Sequence, residues 1–399
     1  MRKGFFAYPW DLQDEGIETA LGTMRERCAC NAIALTSSYH SGRIFRPRLA
    51  SKIYMRPGAA VAFQPRAENY EAGAPLPVAE PRVAEAHVLA RARDWCEAHG
   101  MDFGLWTVGL HNSTLGGAHP ELVMRNCFGD PYEYILCPTA PGARAYLRGL
   151  IRDICDQFRP QRILLETAAF LGMLHWTHHE KFPATIGETE SALSFLCFCP
   201  ECLRRAAEMG VDGEAVRTQV ARWSEALLAQ ERGALPCAFI MADLPALMFE
   251  SPDLYAYLQM RAEVTTTLIK ELWEIASRFG SLLVVMPAAF GQPVARAWRE
   301  GMSLRRLADA CDALLPLTYH SDPQQIAADL AWTKMLSYKA PFDAGLNAGY
   351  PTALSQDNLV AQALTCQREG ARGIYYYNYG MLTEERLNWV GYANRKLDS

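Results

Sequence analysis

The chain has 399 residues, half of them apolar and 21% charged, enough to bury a large core. Its net charge of −5 comes without any basic run, which argues against nucleic acid as a partner. No stretch approaches the roughly 18 apolar residues of a membrane span, and the N-terminal apolar run stops at Pro9 and Asp11, so a soluble, cytoplasmic protein is expected.

Eight short segments read as strands: GFFAYP (4–9), NAIALTS (31–37), DFGLWTVGL (102–110), RILLE (162–166), SLLVVMP (281–287), ALLPLTY (313–319), FDAGLNA (342–348) and GIYYYNY (373–379). Most are continuously apolar, as parallel strands covered on both faces are. Between them lie helical patterns at about 82–98, 142–158, 214–230, 253–279, 323–337 and 355–369. In the second, Tyr146, Leu147, Leu150, Ile151, Ile154, Cys155 and Phe158 form one stripe, and Pro160 ends it.

Eightfold strand–helix alternation predicts an α/β fold, a (β/α)8 TIM barrel over residues 1–399, with long loops after strands 2, 3 and 4. Loop insertions are expected at about 43–81 and 167–213. The first turn, AYPWDLQDEG, lacks the G-x-G-x-x-G of a dinucleotide fold, so no organic cofactor is expected.

In a barrel, the C-terminal strand ends meet at one rim, where active sites form. The rim expected from this reading carries Tyr8, Trp10 and Asp11, then Tyr39 and His40, then His111 and Asn112, then Glu166. Further round come Tyr319, His320 and Asp322, then Asn347 and Tyr350, then Tyr377, Asn378 and Tyr379. Carboxylates, imidazoles, amides and stacking rings are what a carbohydrate site requires: planar partners for hydroxyls and aromatic faces for C–H groups.

Glu166 ends an apolar strand, so a raised pKa and a general-acid role are expected of it. Glycosidic bonds are usually cleaved by two carboxylates. Asp11, Glu180, Asp322 and Asp343 are eligible as the second; Asp11 is preferred, then Asp322. Trp10, Tyr39, His40, His111, His178, His179, Tyr319, His320, Asp322, Asn347, Tyr377 and Asn378 are the expected sugar-binding residues. His175, His178, His179 and Glu180 could instead hold a metal, but HWTHH has Trp176 where the metalloprotease motif has its glutamate.

Of twelve cysteines, nine are scattered and read as buried free thiols of a reducing compartment. The other three, Cys197, Cys199 and Cys202, form C-x-C-x-x-C, a spacing suited to structural zinc with one further ligand. The tRNA-guanine transglycosylases share this spacing but complete it with a histidine about thirty residues on, whereas the next histidine here is His320.

The segment CPTAPGARAYLRGLIRDICDQFRPQRILLE, followed by the triple cysteine 31 residues after Glu166, resembles barrel glycoside hydrolases. The cysteine cluster is similar to that of the glycoside hydrolase family 42 β-galactosidases, whose fourth zinc ligand is a cysteine in the loop after strand three. The resemblance implies Cys127 as that ligand, with Cys137 the alternative. That family places Asn before its acid, where this chain has Leu165, and a glutamate nucleophile after strand seven, where this chain has Asn347 and Tyr350. The implied features are therefore the fold, the cysteine site and a strand-four acid, and not β-galactosidase activity or a retaining mechanism.

The expected function is that of a glycosidase, a glycoside hydrolase-like enzyme cleaving or rearranging a bond of a small carbohydrate. Two alternatives stand beside it: a barrel isomerase, epimerase or lyase, and a non-catalytic carbohydrate-binding barrel. The expected partners are a small carbohydrate and, through exposed aromatic loops, a second copy of the chain; no membrane partner is expected.

Overall fold

The computed structural model describes residues 1–173, 188–228, 237–288, 293–338 and 340–398. Eight parallel strands form its centre: β1 (Arg2–Ala7), β2 (Ala32–Tyr39), β3 (Asp102–Val108), β4 (Arg162–Glu166), β5 (Leu282–Val285), β6 (Ala313–Leu314), β7 (Ala344–Asn347) and β8 (Gly373–Tyr377). They pair in the order β6-β5-β4-β3-β2-β1-β8-β7. The two ends of that path also meet: Leu314 bridges Phe342 and Leu317 bridges Gly345, both in parallel. This is a TIM-like arrangement, and the strands are buried on both faces as their continuous apolar character requires.

Helices follow the strands on the outside. They are α1 (Pro9–Glu15), α2 (Val88–Ala98), α3 (Pro141–Phe158), α4 (Pro252–Arg278), α5 (Leu304–Leu307), α6 (Pro323–Ser337), α7 (Gln356–Arg368) and α8 (Glu384–Lys396). Proline at the first turn starts α3, α4 and α6, where a missing N–H costs nothing. Side-chain oxygens of Asp322, Ser355 and Thr383 cap α6, α7 and α8. The helix at the chain's end was not among the expected patterns; it is the last βα partner.

The connections after β2, β3 and β4 hold structure of their own. Residues 42–56 form an antiparallel hairpin after β2, and residues 123–136 form another after β3. After β4 come helices Pro200–Glu208 and Gly213–Leu228.

At the N-terminal strand ends, Arg2 pairs with Asp343 at 2.7 Å and Arg162 with Asp102 at 3.0 Å. Asp343, one of the eligible carboxylates, is thus held at the floor of the barrel. These ion pairs close that end, and a cavity opens toward the other.

Candidate functional site

The cavity has a volume of about 250 Å³ and is lined by Phe6, Tyr39, His40, Trp106, Glu166, Met286, Leu317, Tyr319, Asn347 and Tyr377. These side chains come from β1 to β4, from the residues just after β2, β5 and β6, and from β7 and β8, so nearly every stave contributes.

Glu166 ends β4 beside Val108 of β3. Its side chain is buried, and its Oε2 accepts a 2.7 Å hydrogen bond from the Trp106 indole Nε1. No cation pairs with it among the described residues. Burial pushes the Glu166 carboxyl up to about 7, against the opposing pull of the indole N–H. A group poised this way can both give and take a proton near neutral pH.

Around Glu166 stands a set of aromatic rings. Tyr8 donates to the Tyr39 hydroxyl at 2.9 Å and shares a 3.0 Å hydrogen bond with Tyr377. Burial holds the Tyr8, Tyr39 and Tyr319 phenols above their ordinary range, so they stay neutral and can donate. The His40 ring stacks on Tyr39 at 4.2 Å and on His111 at 4.4 Å. The Asn347 side chain accepts from the Gly349 backbone N–H, which fixes its amide at the rim.

Six of the expected site residues therefore line one cavity: Tyr39, His40, Glu166, Tyr319, Asn347 and Tyr377. Others stand elsewhere. Asp11 does not line it; its carboxylate lies 3.2 Å from Arg46, and both side chains are buried. The reason is local: α1 turns immediately after β1 and carries Asp11 toward the loop that delivers Arg46. Gly380 makes room for it, since a Cβ there would stand 1.8 Å from Asp11 Oδ2.

Trp10 is likewise displaced from the cavity. Its ring is sandwiched between Tyr8 and Tyr54, each at 4.7 Å, with the Arg56 guanidinium 5.0 Å away. His111 is packed behind His40 rather than at the wall. His320 turns toward Asp329, 3.8 Å away on α6. Asp322 is exposed and accepts the Gln324 backbone N–H at 2.8 Å as the cap of α6, not as a carboxylate of the site. Asn378 is buried and accepts from the Gly380 N–H. His175, His178, His179 and Glu180 lie outside the described residues.

Four wall residues escaped the reading of strand ends: Phe6, Trp106, Met286 and Leu317. Phe6 and Trp106 point inward from mid-strand, below the rim. Trp106 carried a signal, because an indole in an otherwise apolar buried strand needs a partner for its N–H.

A second constellation lies in the loops after β3 and β4. The sulfurs of Cys137, Cys197, Cys199 and Cys202, all buried, lie within 4.8 Å of one another. Cys137 Sγ is 3.7, 3.6 and 3.5 Å from those of Cys197, Cys199 and Cys202. Four sulfurs about 2.3 Å from a tetrahedral zinc would stand about 3.8 Å apart, so this donor set fits that ion.

Burial raises the Cys137 and Cys202 thiols, while hydrogen bonds from the other three sulfurs hold Cys199 down. Cys127 is not part of the set: it sits at the tip of the 123–136 hairpin, its Sγ 3.9 Å from Ser224 Oγ. The fourth member is Cys137, which the strand leaving that hairpin returns to the cluster.

Fold and cavity together define a TIM-like barrel with a buried acid at the end of its fourth strand. The sequence matches no family model and no curated protein. Solved structures are similar in fold.

The chain superposes with a TM-score of 0.59 on a β-galactosidase from the psychrophilic Marinomonas ef1, at 10% identity, covering 100% of this chain and 60% of that one. It superposes on α-L-fucosidase isoenzyme 2 from Paenibacillus thiaminolyticus with a TM-score of 0.56, at 11% identity, covering 100% of this chain and 49% of that one. It thus spans about half to three fifths of those two proteins. The glycoside hydrolase domain of PgaB (BpsB) from Bordetella bronchiseptica matches with a TM-score of 0.56, at 13% identity, over 94% of both chains.

Proposed function

We propose that the protein is a glycoside hydrolase-like enzyme that cleaves or rearranges a glycosidic bond of a small neutral carbohydrate, with Glu166 as its general acid. The observation that carries this reading is the Glu166 carboxyl. It is buried at a strand end, pushed up to about 7, and faces a cavity walled by tyrosines and an indole. The volume, about 250 Å³, lies below the roughly 300–1,000 Å³ of sites for drug-sized ligands, which suits a single sugar ring. Among the described residues of its wall there is neither lysine nor arginine, which favours an uncharged ring. The fold neighbours that bear glycosidase names support the same class.

The whole chain is read as one catalytic barrel, and the four-cysteine cluster as a structural zinc site that stitches the loops after β3 and β4. Zinc there would supply folding energy, not a step of the reaction.

Glu166→Gln tests the assignment. Turnover of aryl glycosides should fall by about a hundredfold or more, and undiminished turnover would reject the reading. A second reading, a carbohydrate-binding barrel without turnover, is favoured by one observation: Glu166 is the one carboxylate among the described residues of the cavity wall. Sugar binding by calorimetry with no hydrolysis of any aryl glycoside would select it. Activity lost to a chelator and restored by a divalent ion, with the cysteines intact, would instead select an isomerase, epimerase or lyase.

A further inference from the structure

The contact between Trp106 and Glu166 does more than satisfy an indole. Trp106 is buried in β3, two residues before the ladder partner of Glu166. Four rings surround it: Phe6 at 5.1 Å, Tyr8 at 5.7 Å, Tyr39 at 5.1 Å and Tyr377 at 6.0 Å. These rings come from β1, β2 and β8 and the turn after β1, so the indole plane is held from several staves at once.

An indole N–H can only donate. The 2.7 Å hydrogen bond therefore requires Glu166 Oε2 to present a lone pair whether the acid is charged or neutral. When Glu166 is protonated, the carbonyl oxygen is the stronger acceptor, so the indole N–H favours the neutral form whose proton sits on Oε1. Among the described residues Oε1 has no hydrogen-bond partner, and the side chain it belongs to forms part of the cavity wall.

We infer that Trp106 is a positioning residue that locks Oε2 as an acceptor and makes Oε1 the oxygen through which Glu166 exchanges its proton with a ligand. This rests on the reading of Glu166 as the acid of the site, and it adds which oxygen acts and what selects it. A carboxyl free to rotate would present its proton in either of two positions, and only one orientation would be productive. The same N–H favours the charged form, so it also limits how far burial can raise the group.

The test is a carboxyl titration that does not depend on turnover. Protein labelled with ¹³C at the glutamate side-chain carboxyl is titrated by NMR, and Glu166→Gln identifies the signal. Two variants remove the N–H: Trp106→Phe, and replacement of Trp106 by benzothienylalanine, which keeps the bicyclic shape. Loss of the hydrogen bond should raise the Glu166 midpoint by about one pH unit in both.

With a glycoside substrate, the basic limb of the rate profile should move by the same amount, with the change in kcat rather than KM. A midpoint that stays in place or falls in the benzothienylalanine protein overturns the inference, even if Trp106→Phe fails to fold. Retained activity in Glu166→Gln would instead overturn the hydrolase reading while leaving the titration result intact.

Discussion

The Arg46 guanidinium stands 3.2 Å from the Asp11 carboxylate and 2.7 Å from that of Asp14, with Arg46 and Asp11 both buried. This pair fastens the loop after β2 onto the helix after β1. Burial pushes the Asp11 carboxyl up, and Arg46 draws it back. Removing one partner of a buried pair strands the other, at a cost of about 3–5 kcal/mol. Arg46→Met should lower the urea unfolding free energy by that amount. Asp11→Asn should leave sugar affinity unchanged; a hundredfold loss of turnover in a folded Asp11→Asn protein would return Asp11 to the chemistry.

Glu166 also makes stability depend on pH. Its folded-state value of about 7 lies above the roughly 4.3 of an unperturbed glutamate. Between those values the folded protein keeps a proton that the unfolded chain has released. Its contribution to stability is therefore full at low pH, falls as pH rises through this window, and is lost above about 7. Glu166→Gln should be more stable than the parent at pH 8, by up to about 4 kcal/mol, and by much less at pH 5. Equal differences at both pH values, measured by denaturant titration, would contradict the raised value.

The cysteine assignment separates two neighbours in sequence. Cys137→Ser should abolish zinc uptake measured by elemental analysis and lower the melting temperature. Cys127→Ser should keep both at parental values, because its sulfur lies by Ser224 and not among the four. Absence of metal from freshly purified protein made without chelator would refute the zinc proposal.

Asp322 is assigned to a helix cap, not to a sugar. Asp322→Ala should cost about 1 kcal/mol of stability, as loss of an N-cap does, with sugar binding by calorimetry unaltered. A tenfold weaker sugar affinity would place Asp322 in the site after all.

The strand pattern was legible because a parallel barrel needs apolar runs of one kind repeated eight times, and RILLE at 162–166 coincides with β4 to the residue. Glu166 was legible for the same reason: a charge at the end of such a run has few structural uses. Cys197, Cys199 and Cys202 were legible as a cluster by spacing alone, since C-x-C-x-x-C brings three sulfurs together within six residues.

What the sequence could not decide is where residues just past a strand end turn. Asp11 and Trp10 follow β1 by only a few positions, yet α1 swings both away from the cavity. Asp322 and Asn378 serve caps set by their own local backbone, and His320 turns toward Asp329 on α6. The choice of Cys137 over Cys127, and the approach of Trp106 to Glu166 across 60 residues of chain, depend on pairing between distant segments. The amino-acid order thus determined the periodicities and the local ligand spacing. Closure of the strand ring decided which side chains share the cavity, because inward direction in a barrel follows from register between strands, which no single segment encodes.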